Sequence, residues 1–355
     1  MKKEEIISNF NPSDAGVAGS TIFGLPFTKE TAELIIIPIP WDVTVSFREG
    51  TVFGANTVFD CSKQVDLFDE DVPDAWKMGV FMHPISEHWL RRSKYLRQKA
   101  KKIIKNAIEE NDIEKNRKLN SDLKKINIAG EKLKEWVKKT SEEFLQKNKI
   151  VAVLGGDHSS PLGLIEALSS KYNSFGILQI DAHMDLRNAY EGFDYSHASI
   201  MYNSIKNKSV TKLVQVGIRD YCEEEFDLMK KSQNRIITYF DYRIKEEQFK
   251  GKTWDILCKE IVSVLPENVY VSFDIDGLDP SNCPNTGTPV AGGLSYSEAI
   301  YLLKFVVNSG RKIIGFDLCE VSPGKARHHE SWDGIVGAKL LYKLCNLAGK
   351  SLGKL

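Results

Sequence analysis

Three apolar stretches of the sequence end in residues that bind hard cations or move protons. GGDHS at 155–159 carries His158, DAHMD at 181–185 carries Asp181, His183 and Asp185, and FDIDGLDP at 273–280 carries Asp274 and Asp276. Residues i, i+2 and i+4 of an extended backbone face one way. Asp181, His183 and Asp185 can therefore converge as the chain leaves FGILQI, and Asp274 can converge with Asp276. Four carboxylates in one place raise one another's pKa and cannot all ionise without counter-charge. Two divalent cations would supply that charge. An oxygen-rich set with one imidazole per ion suits Mn²⁺ better than the His- or Cys-rich sets usual for zinc, while Ni²⁺ or Co²⁺ would bind it at least as tightly. Paired ions roughly 3.5 Å apart can share a hydroxide that is nucleophilic at neutral pH. A single D-x-D is a common loop feature. Three such endings in one chain point to a metal centre.

The elements that must position these residues are visible as short β-branched runs: LIIIPI (34–39), IVAVL (150–154), FGILQI (175–180), KLVQVGI (212–218), IITYF (236–240), VYVSFDI (269–275) and KIIGFDL (312–318). They are apolar on both faces, so helices should cover both sides of a mainly parallel sheet. The expectation is one doubly wound α/β domain with about eight strands. Ser160 can cap the helix after GGDHS, Pro161 suits its first turn and LGLIEAL supplies its apolar stripe. That places His158 between a strand's carboxyl end and a helix, where open α/β sheets bind ligands. Residues 87 to about 148 read instead as a peripheral helical insertion of amphipathic helices. Its basic run RRSKYLRQKAKKIIK is followed at once by acids and reads as a solvated helix face. Residues 1–32 read as an arm that caps the domain or contacts a neighbour, and 33–355 as the catalytic domain.

Composition excludes several partners. Lys and Arg total 48, as do Asp and Glu, so no global field recruits nucleic acid or an anionic membrane. Six scattered cysteines without a C-x-x-C pair fit reduced thiols in a cytoplasm. MKKEEIISNF has no apolar core of a signal peptide, and no run approaches the 18 or so apolar residues of a membrane span.

The motifs resemble those of the ureohydrolases, which include arginase, agmatinase and guanidino-acid hydrolases. GGDHS, DAHMD and SFDIDGLDP look like that family's three metal motifs. NTGTPVAGGLSYSEA (285–299), FDLCEVSP (316–323) and IPIPWDVTVSFREGTVFGA (37–55) extend the resemblance to about residues 33–345, apart from the helical insertion. It implies an arginase-like fold with two Mn²⁺ per chain, one held by His158, Asp181, Asp185 and Asp274 and the other by Asp181, His183, Asp274 and Asp276. Asp181 and Asp274 would bridge. It also implies that Glu320 pairs with a substrate guanidinium, that Asp185 orients the hydroxide and that His197 of YSHAS moves a proton to the departing amine. Ala198 follows that histidine where many relatives have glycine. Trimers or hexamers are implied as well.

The implied reaction is cleavage of a guanidino C–N bond to urea and an amine, on agmatine or another small guanidino compound such as guanidine or a guanidino acid. The alternatives are arginase activity on L-arginine and formimidoylglutamate hydrolysis. LRNAYEGFDYSH stands where animal-type arginases have an Asn- and Ser-rich loop, which argues against assuming L-arginine, and TGTPVAGG looks closer to arginase and agmatinase than to formimidoylglutamate hydrolases. Tyr190, Phe193 and Tyr195 either wall off a small pocket or pack the loop. Arg187 either meets a substrate carboxylate or makes a structural ion pair, the latter being favoured. His83, His88, His328 and His329 match no motif and read as surface or packing residues.

Overall fold

Eight parallel strands pair into one sheet in a computed structural model that describes residues 2–14, 21–109 and 116–355. They are β1 (Leu34–Pro38), β2 (Val80–Met82), β3 (Ile150–Leu154), β4 (Phe175–Ile180), β5 (Val210–Ile218), β6 (Ile236–Phe240), β7 (Asn268–Asp274) and β8 (Lys312–Cys319), in the order β2-β1-β3-β8-β7-β4-β5-β6. All seven runs seen in the sequence form strands. The eighth, β2, is a three-residue edge strand beside β1, too short to carry a pattern of its own. β1, β3 and β4 are buried along their whole length, as strands covered on both faces must be.

The helices form two groups, each packed within itself and on the sheet. One contains α2 (Gly54–Ser62), α9 (Trp254–Ser263), α10 (Tyr296–Asn308) and α11 (Trp332–Ser351). The other contains α3 (Glu87–Ile108), α4 (Arg117–Leu145), α5 (Leu162–Leu168) and α6 (Ile200–Ser204). α7 (Glu223–Lys231) and α8 (Asp241–Phe249) lie by β5 and β6, and α1 (Lys3–Asn9) opens the chain. No helix is long and apolar enough to cross a membrane among the described residues.

The helical segment 87–148 is the crossover from β2 to β3. Ser86 and Asn116 cap its two helices by accepting from backbone amides of their first turns, as small polar residues do at that position. α4 lies along α5 and buries Ile126, Ala129, Leu133, Val137 and Phe144. Arg91, Lys94, Lys101, Lys102 and Lys105 of the basic run are exposed, as a solvated helix face requires, while Arg97 is buried, donates to the Val43 carbonyl and sits 3.3 Å from Glu49, and Lys99 pairs with Asp122 at 2.6 Å. At the amino terminus, Ile22, Phe23, Leu25 and Phe27 are buried against the chain's own core.

One local expectation is corrected. Ser160 does not cap α5: its hydroxyl is buried without a partner, and the helix begins after Pro161. Asp157 organises the turn instead, its Oδ1 accepting from the amide and hydroxyl of Ser159 and its carbonyl from the Ser160 amide.

Candidate metal centre

β3, β8, β7 and β4 are neighbours at the middle of the sheet, and their carboxyl ends carry GGDHS, Glu320, FDIDGLDP and DAHMD in turn. Tight turns are needed there. A Cβ on Gly156 would stand 1.9 Å from the Trp41 carbonyl oxygen, so only glycine lets the chain pass. Asp185 and Glu320 both have left-handed backbones, with φ of 55° and 62°. Such non-glycine conformations cost about 1 kcal/mol or more and collect at functional sites. Hydrogen bonds hold them: the Asp185 carbonyl accepts from the Met201 and Tyr202 amides, and the Glu320 amide donates to the Gly156 carbonyl while its own carbonyl accepts from Thr286 Oγ1.

The six expected ligands come together. His158 Nδ1 lies 3.0 Å from Asp181 Oδ2, 2.9 Å from Asp185 Oδ2 and 3.4 Å from Asp274 Oδ2. His183 Nδ1 lies 3.2 Å from Asp276 Oδ2 and 3.6 Å from Asp181 Oδ1. Two donor groups result, His158–Asp181–Asp185 and Asp181–His183–Asp276, and Asp181 belongs to both. Asp274 Oδ1 accepts from the Asp276 amide, which leaves its Oδ2 facing His158.

These residues fit metal ions. His158 Nδ1 is buried and makes no well-formed hydrogen bond despite the carboxylates around it, so this ring nitrogen faces a point between them. Oxygen and nitrogen donors around a six-coordinate ion with bonds of about 2.1 Å stand about 3 Å apart, which the closest separations here match. A second layer fixes the tautomer. His158 Nε2 lies 2.9 Å from Ser272 Oγ, which donates to Asp317 Oδ2 at 2.8 Å. Nε2 therefore keeps its proton on Ser272, so in the neutral imidazole that an ion requires the lone pair lies on Nδ1, the usual support of a metal-binding imidazole. Sequence reading missed Ser272 and Asp317, which sit inside apolar strands where only the paired register reveals their partner.

The electrostatics follow from crowding. Burial opposes charge on His158 and His183, but the adjoining Asp181, Asp185 and Asp276 carboxylates raise both well above the ordinary imidazole value. Burial raises Asp185 to about 7, with the Asp181 charge adding to it. Asp274 is pushed well up by burial and by Asp276 and Asp181. Asp181 goes the other way: burial is outweighed by its contacts with the two imidazoles. These are the carboxylates that need counter-charge.

Glu320 is also buried. Its Oε1 accepts from the His158 amide at 3.0 Å, and its Oε2 has no partner. Burial and the nearby Asp157 push its carboxyl well up. His197 lies in the loop between β4 and α6, Nδ1 3.3 Å from Ser196 Oγ and its ring edge-on to Tyr190. Burial, with the positive imidazoles of His183 and His158, lowers it to about 3.

A cleft of about 280 Å³ opens beside the cluster, with His183, Asp185, His197, Arg187, Tyr190, Asp220 and Phe47 among its lining. Glu320 is not among the lining residues, but a Cβ on Gly287, next to the lining residue Thr288, would stand 3.0 Å from its Oε2. Of the loop aromatics, Tyr190 faces the cleft, Phe193 is fully buried, and Tyr195 packs on Gly130 of α4. Arg187 lies over the Tyr190 ring and 3.8 Å from Glu225. α4 grips this loop through Asn127, which donates to the Gly192 carbonyl and accepts from the Asp194 amide. Arg219, unremarked in the sequence, ties the Asp276 and Val290 carbonyls together through Nη2 at 2.6 and 3.0 Å. The four histidines outside the motifs stay outside the cluster; His88 packs on Trp89 and His329 is exposed.

Comparison with known proteins agrees with this geometry. The arginase family profile matches residues 32–345. N(1)-aminopropylagmatine ureohydrolase of Thermus thermophilus is 28% identical over 94% of this chain and 96% of the relative. Guanidinobutyrase of Pseudomonas aeruginosa is 30% identical over 96% and 95%. The solved structure of proclavaminate amidino hydrolase from Streptomyces clavuligerus, 20% identical, shares the fold with a TM-score of 0.72, covering 96% of this chain and 100% of that one.

Proposed function

The chain belongs to the arginase family and is a hydrolase of C–N bonds in linear amidines, and from that premise we propose that it is a binuclear Mn²⁺ enzyme releasing urea from a small guanidino compound of the agmatine type. The observation that carries this reading is Asp181, which belongs to both donor groups and so suits a bridging carboxylate. His158, Asp181, Asp185 and Asp274 would hold one ion, and Asp181, His183, Asp274 and Asp276 the other. When bound, such a pair supplies a nucleophilic water at neutral pH and Lewis acidity.

The chain's own residues do the rest. Glu320 Oε2, buried and unpartnered, receives the guanidinium; a planar five-donor cation suits a carboxylate. Asp185 orients the attacking oxygen by accepting its hydrogen bond. His197, on the cleft lining and held neutral by its burial, takes up the proton that the attacking oxygen loses and hands it to the departing amine.

Charge in the cleft supports an amine tail over an acid one. Arg187 is already engaged by Glu225 and Tyr190, so a substrate carboxylate would compete with Glu225 for it. Asp220, its side chain 68% exposed, has no Lys or Arg within ion-pair distance among the described residues, only His183 at 4.0 Å. The T. thermophilus relative named for N(1)-aminopropylagmatine fits this; the P. aeruginosa guanidinobutyrase points to the acid alternative. We propose further that the enzyme works in the cytoplasm, where its free cysteines stay reduced, as a trimer or hexamer. A urea-release assay of Mn²⁺-loaded protein tests the reading against agmatine, guanidine, guanidinobutyrate, guanidinopropionate and arginine. The highest kcat/KM is expected with agmatine. Preference for guanidinobutyrate would overturn the charge argument, and no urea from any of them would overturn the reaction.

A further inference from the structure

Gln179 on β4 and Gln215 on β5 are fully buried inside the sheet, side by side in register, and Gln215 is in register with Thr238 on β6. Buried amides are costly unless every donor and acceptor is satisfied, and here they are. Thr238 Oγ1 donates to Gln215 Oε1 at 2.8 Å. Gln215 Nε2 donates to Gln179 Oε1 at 2.7 Å and to the Met184 carbonyl at 2.8 Å. Gln179 Nε2 donates to Asp181 Oδ2 at 2.8 Å and to the His183 carbonyl at 3.1 Å.

The direction of this chain is forced. The His183 and Met184 carbonyls can only accept, so both amides must turn Nε2 toward them, and Thr238 completes the row by donating to the carbonyl oxygen left behind. Asp181 Oδ2 therefore receives an N–H, while its Oδ1 receives the His183 amide at 2.6 Å. Each oxygen of this carboxylate has one fixed donor and keeps its remaining lone-pair direction. The same two amides pin the backbone of the turn between His183 and Asp185.

We propose that Gln179, Gln215 and Thr238 form a relay of positioning residues, three strands wide, that orients Asp181 to serve two ions at once. This rests on the reading of Asp181 as a shared metal ligand. Outer groups that orient a ligand typically govern tenfold to hundredfold in metal affinity, and Gln215, which touches no proposed ligand side chain, isolates that effect.

The test is calorimetric titration of Mn²⁺ into full-length protein stripped with chelator, comparing wild type, Gln215→Leu and Thr238→Val, with circular dichroism for the fold. Wild type should take two ions. Gln215→Leu should keep its secondary structure and bind at least one ion roughly 10- to 100-fold more weakly. Thr238→Val, which removes only the outermost donor, should weaken binding in the same direction by less than tenfold. A residue with only a structural role would lower thermal stability and leave affinity alone. Wild-type affinity in a folded Gln215→Leu variant overturns the relay. If that variant does not fold, unchanged affinity in Thr238→Val overturns it instead. Failure of wild type to bind two ions would count against the binuclear reading and not against the relay as such.

Discussion

Glu320 and Asp181 are both buried carboxylates in one site, yet they should fail differently. Glu320→Gln keeps shape and removes the charge proposed to face the guanidinium, forfeiting a charge-assisted contact of about 2 to 4 kcal/mol, or roughly 30- to 1000-fold in kcat/KM. Its metal content should stay at wild type. Asp181→Asn should lose metal, because an amide cannot bridge two cations; elemental analysis beside kinetics separates the two outcomes, and normal urea production by Glu320→Gln would move the substrate away from a guanidinium held there. Protons compete at the same atoms. His158 and His183 are raised by their carboxylate neighbours, so in chelated protein the stability they contribute is complete below the unfolded value near 6.5 and fades as pH rises through the raised one. Ion binding needs those nitrogens unprotonated and strengthens over the same range. The gain in Tm on adding Mn²⁺ should therefore be larger at about pH 8.5 than at about pH 6.5. Scanning calorimetry checks it, and a gain that shrinks with pH would contradict the ligand assignment.

α4 illustrates what an element can do that a motif does not announce. Its apolar stripe was legible as an amphipathic helix, but its grip on the loop between β4 and α6 depends on Asn127 meeting Gly192 and Asp194, 65 and 67 residues away in sequence. Asn127→Ala removes two partly exposed hydrogen bonds, each worth about 0.5 to 1.5 kcal/mol. We expect KM to rise roughly threefold to tenfold with Mn²⁺ stoichiometry unchanged, because the stretch that Asn127 holds, Gly192 to Asp194, lies between Tyr190 and His197 and beyond the last proposed ligand of this loop, Asp185. Steady-state kinetics against metal analysis would show it; loss of metal in this variant would mean that the loop also supports the ion site. At the turn after β3, Gly156→Ala places a methyl group against the Trp41 carbonyl and should lower Tm sharply and release His158 from the cluster, which differential scanning and metal analysis would both register.

For the molecule as a whole, exposed apolar side chains do not by themselves decide assembly. Phe249 of α8, Ile256 of α9 and Tyr301 of α10 stand 86%, 45% and 41% exposed, but apolar side chains exposed singly are ordinary on a folded protein, so the proposed trimer or hexamer rests on the family resemblance. Light scattering should return three or six times 40.1 kDa; a monomer at micromolar concentration would refute the proposed assembly. What the sequence determined by itself was local in kind. Seven strands were written as apolar runs, and His158, Asp181, His183, Asp185, Asp274 and Asp276 were marked by residue type and by the two-residue period of an extended chain. Register, crossover and burial were not local. The sheet order that sets β3, β8, β7 and β4 side by side decided that the three motifs share one site. Cross-strand pairing decided that Gln179 meets Gln215 and that Asp317, by way of Ser272, supports His158. The left-handed backbones of Asp185 and Glu320 depend on partners such as Gly156, Thr286 and Met201 from other segments. A hydrogen bond between strands is set by which residues the fold brings opposite one another, and that is a property of the paired chain, not of either strand alone.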